Sequence, residues 1–208
     1  MRRFRLAAPL LATLLLGACA SVIAPRGSQQ VFQLPPSAPP TLSAAPLPIS
    51  LAVALPGAEG LLDSPALLVS PQPDQLQVYA GARWAERPAV MLRQRLLRAL
   101  IDAGLTRAVP ADSGVLTRYT LQSDLAEFRL RVDGAHAAAQ IALQVRLLDN
   151  ASRQLIAQQR FSASAAASSD QPAAAAQAFG TASTTLQNAV AAWTVRQLRA
   201  AEAMRKPQ

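Results

Sequence analysis

The chain is nearly devoid of the residues that metal and redox chemistry use. Its 208 residues include one cysteine, Cys19, and one histidine, His136. Those counts exclude a disulfide framework, a Cys/His zinc site and any two-histidine metal site. Lysine is almost missing too: of twenty basic residues only Lys206 is not arginine, which we read first as genome composition. No apolar run approaches the ~20 residues needed to span a bilayer as a helix. No glycine loop for phosphate is present, because Gly57 and Gly60 lack both the spacing and the lysine. Nucleophilic catalysis lacks a base: His136 lies two residues beyond the turn signal Asp133-Gly134 and reads as a solvated loop residue. The acids Asp124 and Glu127 read as a solvated surface pair. We therefore expect no enzyme and no cofactor.

Apolar residues, by contrast, make up 51% of the chain, ample for a core. The N-terminus opens with three arginines, Arg2, Arg3 and Arg5, followed by eleven uncharged residues from Leu6 to Leu16 and a run of small residues. This is the order of an export signal: positive, apolar, small. The run Leu16-Gly17-Ala18-Cys19 resembles the lipobox of bacterial lipoproteins. That resemblance implies a signal peptide over 1–18, cleavage before Cys19, a diacylglyceryl thioether on its sulfur and a third acyl chain on its amine. Each buried methylene contributes about 0.8 kcal/mol, so one chain holds marginally and three hold firmly. Ala20 follows the cysteine, and the sorting rule that comes with the resemblance favours the outer membrane. Export also recasts the formal charge of +8: loss of three arginines leaves +5. A protein exported to the periplasm does not meet the chromosome, so nucleic acid is not an expected partner.

Residues 20–48 carry seven of the sixteen prolines and read as a tether, extended at ~3.1 Å per residue. Within it, residues 31–34 alternate and predict a short edge strand. The folded domain is expected over 49–204. Residues 49–55 predict a strand ended by Pro56-Gly57. Two short strands, 66–70 and 75–79, flank a proline-rich turn and predict a hairpin. Pro88 opens a helix, with Leu92, Leu96, Leu97, Leu100 and Ile101 as its apolar stripe and Gly104 as its stop. In the long segment 118–132 the apolar parity switches between Leu121 and Phe128, which predicts a β-bulge near 123–127. Ile141, Leu143, Val145 and Leu147 alternate after the turn at Asp133-Gly134. Leu155, Ala157 and Phe161 are assigned one face of the next strand. Asp170 is expected to cap a last helix, on which Ala175, Phe179, Ala182, Leu186, Val190 and Trp193 form a buried stripe. No charge falls between Asp170 and Arg196, leaving a Thr, Ser, Gln and Asn face for a second contact surface. The predicted class is α+β: a mixed, mostly antiparallel sheet with two main helices packed on one face.

Two segments carry a more specific pattern. Leu62-Asp63-Ser64-Pro65 precedes a strand, and Tyr79 precedes Arg83-Trp84-Ala85-Glu86 at the opening of a helix, with Arg87 before Pro88. Together with the lipobox and Phe32-Gln33-Leu34, this order resembles the ABC-type transport auxiliary lipoproteins, the family that includes the paraquat-inducible protein C type. The likeness covers residues 32–200, and only its middle is specific. The signature residues are Leu62, Asp63, Pro65, Tyr79, Arg83, Trp84, Ala85 and Glu86. Read physically, they are structural before they are a partner patch: Trp84 anchors the helix start against the sheet and Asp63 hydrogen-bonds its own turn.

The resemblance implies an outer-membrane lipoprotein on the periplasmic face. It would be the non-catalytic auxiliary component of an intermembrane lipid transport system. Its partners would be an ABC permease and ATPase and a periplasm-spanning mammalian-cell-entry (MCE) domain protein, docked by this domain alone or as a homo-oligomer such as a ring. The rival reading is a tethered adaptor for cell-wall synthesis or outer-membrane assembly machinery. A third class is direct lipid carriage in an internal groove.

Overall fold

The computed structural model describes residues 29–36 and 46–205. Cys19, the residues expected to form a signal peptide and most of those expected to form a tether lie outside the described residues. Ten elements follow in order: β1 (Gln30–Phe32), β2 (Leu47–Val53), β3 (Ala66–Ser70), β4 (Gln77–Trp84), α1 (Pro88–Asp102), β5 (Leu105–Pro110), β6 (Tyr119–Asp133), β7 (His136–Asp149), β8 (Gln154–Ala167) and α2 (Pro172–Arg205). The class is α+β, one eight-stranded mixed sheet with two helices.

The sheet is organised around β6. Along one edge it pairs antiparallel with the whole of β7, which pairs antiparallel with β8. Its other edge is shared. Leu51–Val53 of β2 run parallel beside Tyr119–Leu121, and Val69–Ser70 of β3 run parallel beside Leu130–Arg131. Gly57 bridges Asp124 between them, its N–H donating to the Ser123 carbonyl at 2.8 Å. A Cβ at residue 57 would stand 2.8 Å from Asp124 Oδ1, so glycine suits this close approach. Outward from β2 lies β5, and outward from β3 lie β4 and then β1. Antiparallel pairing dominates by length, although four of the seven strand pairings are parallel.

The expected bulge falls at Ala126: Leu125 pairs Leu143 and Glu127 pairs Ala142. The extra residue lets Tyr119, Leu121 and Leu125 face the same core as Phe128 and Leu130, all buried. The stripe on α2 is buried as expected. Its Phe179 stacks on Phe128 at 4.5 Å, and Trp193 meets Phe161 of β8 edge-on at 5.7 Å.

Several expectations are corrected. Strand β4, expected over 75–79, runs from Gln77 to Trp84, with Gly81 at a φ of 74° within the irregular part of its pairing with β3. Strand β5 was missed; Thr106 and Arg107 are exposed and no alternation marks it. A second bulge, at Ile156, places Leu155 opposite Leu148 and flips it away from Ala157, leaving it half exposed. On α1 the buried stripe passes through Met91, Leu92, Leu96, Ala99 and Leu100, and Ile101 is half exposed. Asp170 does not cap α2: it accepts only from the Gln171 side chain, while the Gln171 carbonyl takes the Ala175 N–H at 2.9 Å. The polar face of α2 is narrower than expected, since Ser183, Gln187 and Thr194 are buried and α1 packs along that flank through Arg95 and Thr184.

Residues 29–36 dock through a short edge strand where alternation placed one, but its partner strand and the seat of Pro35 carry no sequence signal. Strand β1 pairs parallel with the end of β4, and the Ala85 N–H donates to the Phe32 carbonyl at 2.7 Å. Pro35 then lies on Gly180 of α2, where a Cβ would approach its ring to 2.9 Å. Arg95 Nη2 donates to the Pro35 carbonyl. Substituting Gly180→Ala should push Pro35 off the helix. Global stability should stay within about 1 kcal/mol of the parent, because alanine is the better helix former. Exchange protection of the Ala85 amide should fall about tenfold, on the order of 1.4 kcal/mol of local opening. Unchanged protection would show that this contact does not hold β1.

Candidate functional site

The signature residues converge where β3, β4 and the start of α1 meet. Leu62 and Asp63 end a single 3₁₀ turn, Gly60–Asp63. Leu62 packs partly buried against the core. The turn is closed by Ser64, whose Oγ donates to the Leu61 carbonyl at 2.7 Å. Asp63 therefore does not bond its own turn; its carboxylate reaches Arg87 Nη1 at 2.8 Å, with both side chains about half exposed. An exposed pair of this kind contributes roughly 0–1 kcal/mol and serves to set the turn against the first residue before α1. Pro65 is exposed, and its carbonyl accepts the Trp84 N–H at 2.8 Å.

Trp84 is fully buried. It is the last residue of β4 rather than part of the helix start. Its indole meets Phe128 of β6 at 5.6 Å and Phe179 of α2 at 5.2 Å, both edge-on. Its Nε1 lacks an acceptor among the described residues, so the ring is held by packing alone. Arg83, on the opposite face of the strand, donates to the Trp84 carbonyl at 3.2 Å. Tyr79 packs partly buried against the core. Ala85 and Glu86 border a groove between the residues after β1 and helix α1. Leu62, Tyr79 and Trp84 thus face inward, whereas Asp63, Pro65 and Glu86 remain at the surface.

Several carboxylates elsewhere are tied to arginines. Asp124 reaches Arg146 at 2.8 Å, and Glu127 reaches Arg160 at 3.1 Å. His136 is exposed beside the β6–β7 turn. At the far end of the sheet, Tyr119 Oη donates to Glu202 of α2 at 2.7 Å, Arg205 holds the same carboxylate, and Arg118 pairs with Asp149 at 2.6 Å. Among the described residues no cluster of three potential metal ligands occurs. No described helix is long and apolar enough to cross a membrane.

A family model described as the ABC-type transport auxiliary lipoprotein component matches residues 32–191. The chain belongs to that family. Among solved structures, it is similar to a Xanthomonas campestris protein at 28% identity, with a TM-score of 0.78 over 84% of this chain and 99% of that one. A second crystal structure, of an uncharacterised protein, shares the fold at 18% identity and a TM-score of 0.64, over 80% of this chain and 99% of that one. No curated protein matches it. Within this auxiliary lipoprotein the residues singled out in the sequence are divided between core and surface, and Trp84 lies inside.

Burial, and next the hydrogen bond to Glu202, push the Tyr119 phenol up to about 12. Below pH 10 the phenol is neutral in both folded and unfolded chains and adds no pH dependence. Between pH 10 and about 12 only the unfolded chain ionises, so stability falls with rising pH, by on the order of 2 kcal/mol. Urea midpoints should show this fall in the parent and not in Tyr119→Phe; parallel curves would place the phenol in a solvated setting.

Proposed function

We propose that this chain is a lipid-anchored, non-catalytic docking component of an ABC-type intermembrane lipid transport system, held on the periplasmic face of the outer membrane. Membership of the auxiliary lipoprotein family is the observation that carries this reading. The sequence supports it independently: the only cysteine, Cys19, follows an eleven-residue apolar run and two small residues. Acyl chains on Cys19 fix one end. About ten residues separate it from Gln30, where β1 begins, and at ~3.1 Å per residue this allows roughly 35 Å of reach. The domain thus stays near the bilayer while remaining free to meet a periplasm-spanning MCE-domain partner, coupled in turn to a permease and ATPase. ATP hydrolysis by those partners drives the transport, and this chain positions.

The surface part of the signature, Asp63, Pro65 and Glu86, is the patch we assign to the partner. Trp84 acts behind it by fixing where α1 begins.

Wild-type chain expressed in its native cell should incorporate labelled palmitate and sediment with outer membranes. Cys19→Ala should lose the label and be found in soluble fractions. Photocrosslinkers at Asp63 and Glu86 should capture an MCE-domain protein from intact cells. Palmitate label on Cys19→Ala, or a wild-type chain that stays soluble, contradicts the anchor. Failure of both crosslinkers contradicts the docking patch.

A further inference from the structure

The chain holds twelve carboxylate side chains, and all lie between Glu59 and Glu202, within the described residues. Arg95 and Arg98 nevertheless pair with none of them. The two arginines stand one turn apart on α1. Arg95 is half-buried and, among the described residues, is held by neutral acceptors, the Pro35 carbonyl and, at 3.5 Å, Thr184 Oγ1. Burial, and then the like charge of Arg98, lower the Arg95 pKa from its ordinary value. A guanidinium in that setting lacks a counter-anion, and a nearby second guanidinium adds to the cost.

Both arginines open into a groove of about 240 Å³ between α1 and the residues after β1. Leu34, Pro36 and Met91 give it apolar walls, and Glu86 stands at its border. Paired guanidiniums match the oxygens of a phosphate, which they hold through charge-assisted, bidentate hydrogen bonds. Apolar walls beside that charge favour a phosphate that carries a hydrocarbon part over one that is free in solution. The groove also adjoins β1, the first element after the proposed anchor, so it lies on the part of the domain that stays within reach of lipid headgroups. This last step rests on the anchoring reading above; the charge and shape do not.

We propose that the groove between β1 and α1 seats the phosphate of a phospholipid headgroup, with Arg95 and Arg98 on its oxygens and Leu34, Pro36 and Met91 against its glycerol and first methylenes. Glu86 opposes the phosphate and moderates its affinity.

The test uses the full mature chain, purified in dodecyl maltoside and titrated calorimetrically with dihexanoyl-phosphatidylglycerol, dihexanoylglycerol and inorganic phosphate. The phospholipid should bind saturably, at least tenfold more tightly than inorganic phosphate, while dihexanoylglycerol should not bind. Raising salt should weaken binding, because the contact is ionic. Arg98→Gln, an exposed change that leaves the Arg95–Pro35 contact in place, should weaken binding at least fivefold. Glu86→Gln should tighten it, a gain that a misfolded variant would not give. Equal binding of inorganic phosphate overturns the lipid assignment. Equal binding of dihexanoylglycerol, or Arg98→Gln behaving as the parent, overturns the phosphate seat. These outcomes are read without reference to palmitate or crosslinked partners, so they fail separately from the anchoring and docking tests.

Discussion

The edge-on packing of Trp84 between Phe128 and Phe179 is the contact on which the arrangement of this domain depends. Three elements distant in sequence meet there: the end of β4, the middle of β6 beyond its bulge, and the first half of α2. Edge-to-face aromatic pairs contribute about 0.5–1.5 kcal/mol beyond the area they bury. Aromatics are only 4% of this chain, so the few present are spent where elements cross. Phe161 with Trp193 repeats the device between β8 and α2. Apart from Tyr119 and Met91 the remainder of the core is aliphatic, with many alanines that allow close approach and supply little specificity of their own.

Fixing Trp84 has consequences on both sides of it. Toward the N-terminus, its backbone N–H donates to the Pro65 carbonyl and so locates the 3₁₀ turn, and the next residue's N–H donates to Phe32 of β1. Toward the C-terminus, it determines where Arg87 and Pro88 stand and hence the direction of α1. Asp63–Arg87, the docking of Pro35 on Gly180 and the groove lined by Arg95 and Arg98 are all downstream of that one ring. Buried Trp84 thus frames its surface neighbours, the exposed Asp63, Pro65 and Glu86, which we propose as the partner patch.

Much of this was legible in the sequence wherever local pattern decides structure. The parity switch between Leu121 and Phe128 located the bulge in β6, since one inserted residue is the simplest way to keep both halves facing one core. The spacing of Phe179, Leu186 and Trp193 gave the face of α2. What stayed hidden was non-local. Nothing in Leu105–Pro110 marks a strand, because it is made one by lying beside β2. The strand expected over 75–79 continues to Trp84 through a kink at Gly81. The Ile156 bulge lies in a stretch where Leu155 and Ala157 fit either register. Of the candidate site, Trp84 was legible as an anchor against the sheet, whereas the turn of Asp63 toward Arg87 and the inward packing of Tyr79 emerge only from the fold. Arg95 and Arg98 share a helix, but the groove they line, with Pro35 folded over Gly180, required three segments to be brought together and left no motif.

A double-mutant cycle between Trp84 and Phe179 tests the central contact most directly. Trp84→Leu and Phe179→Leu, singly and together, keep the core apolar, and urea unfolding gives the coupling. The account predicts that the two losses are non-additive by about 1 kcal/mol or more, as residues in direct contact are. Additive losses would mean that the two rings bury area independently, and that the tryptophan does not join β4 to α2.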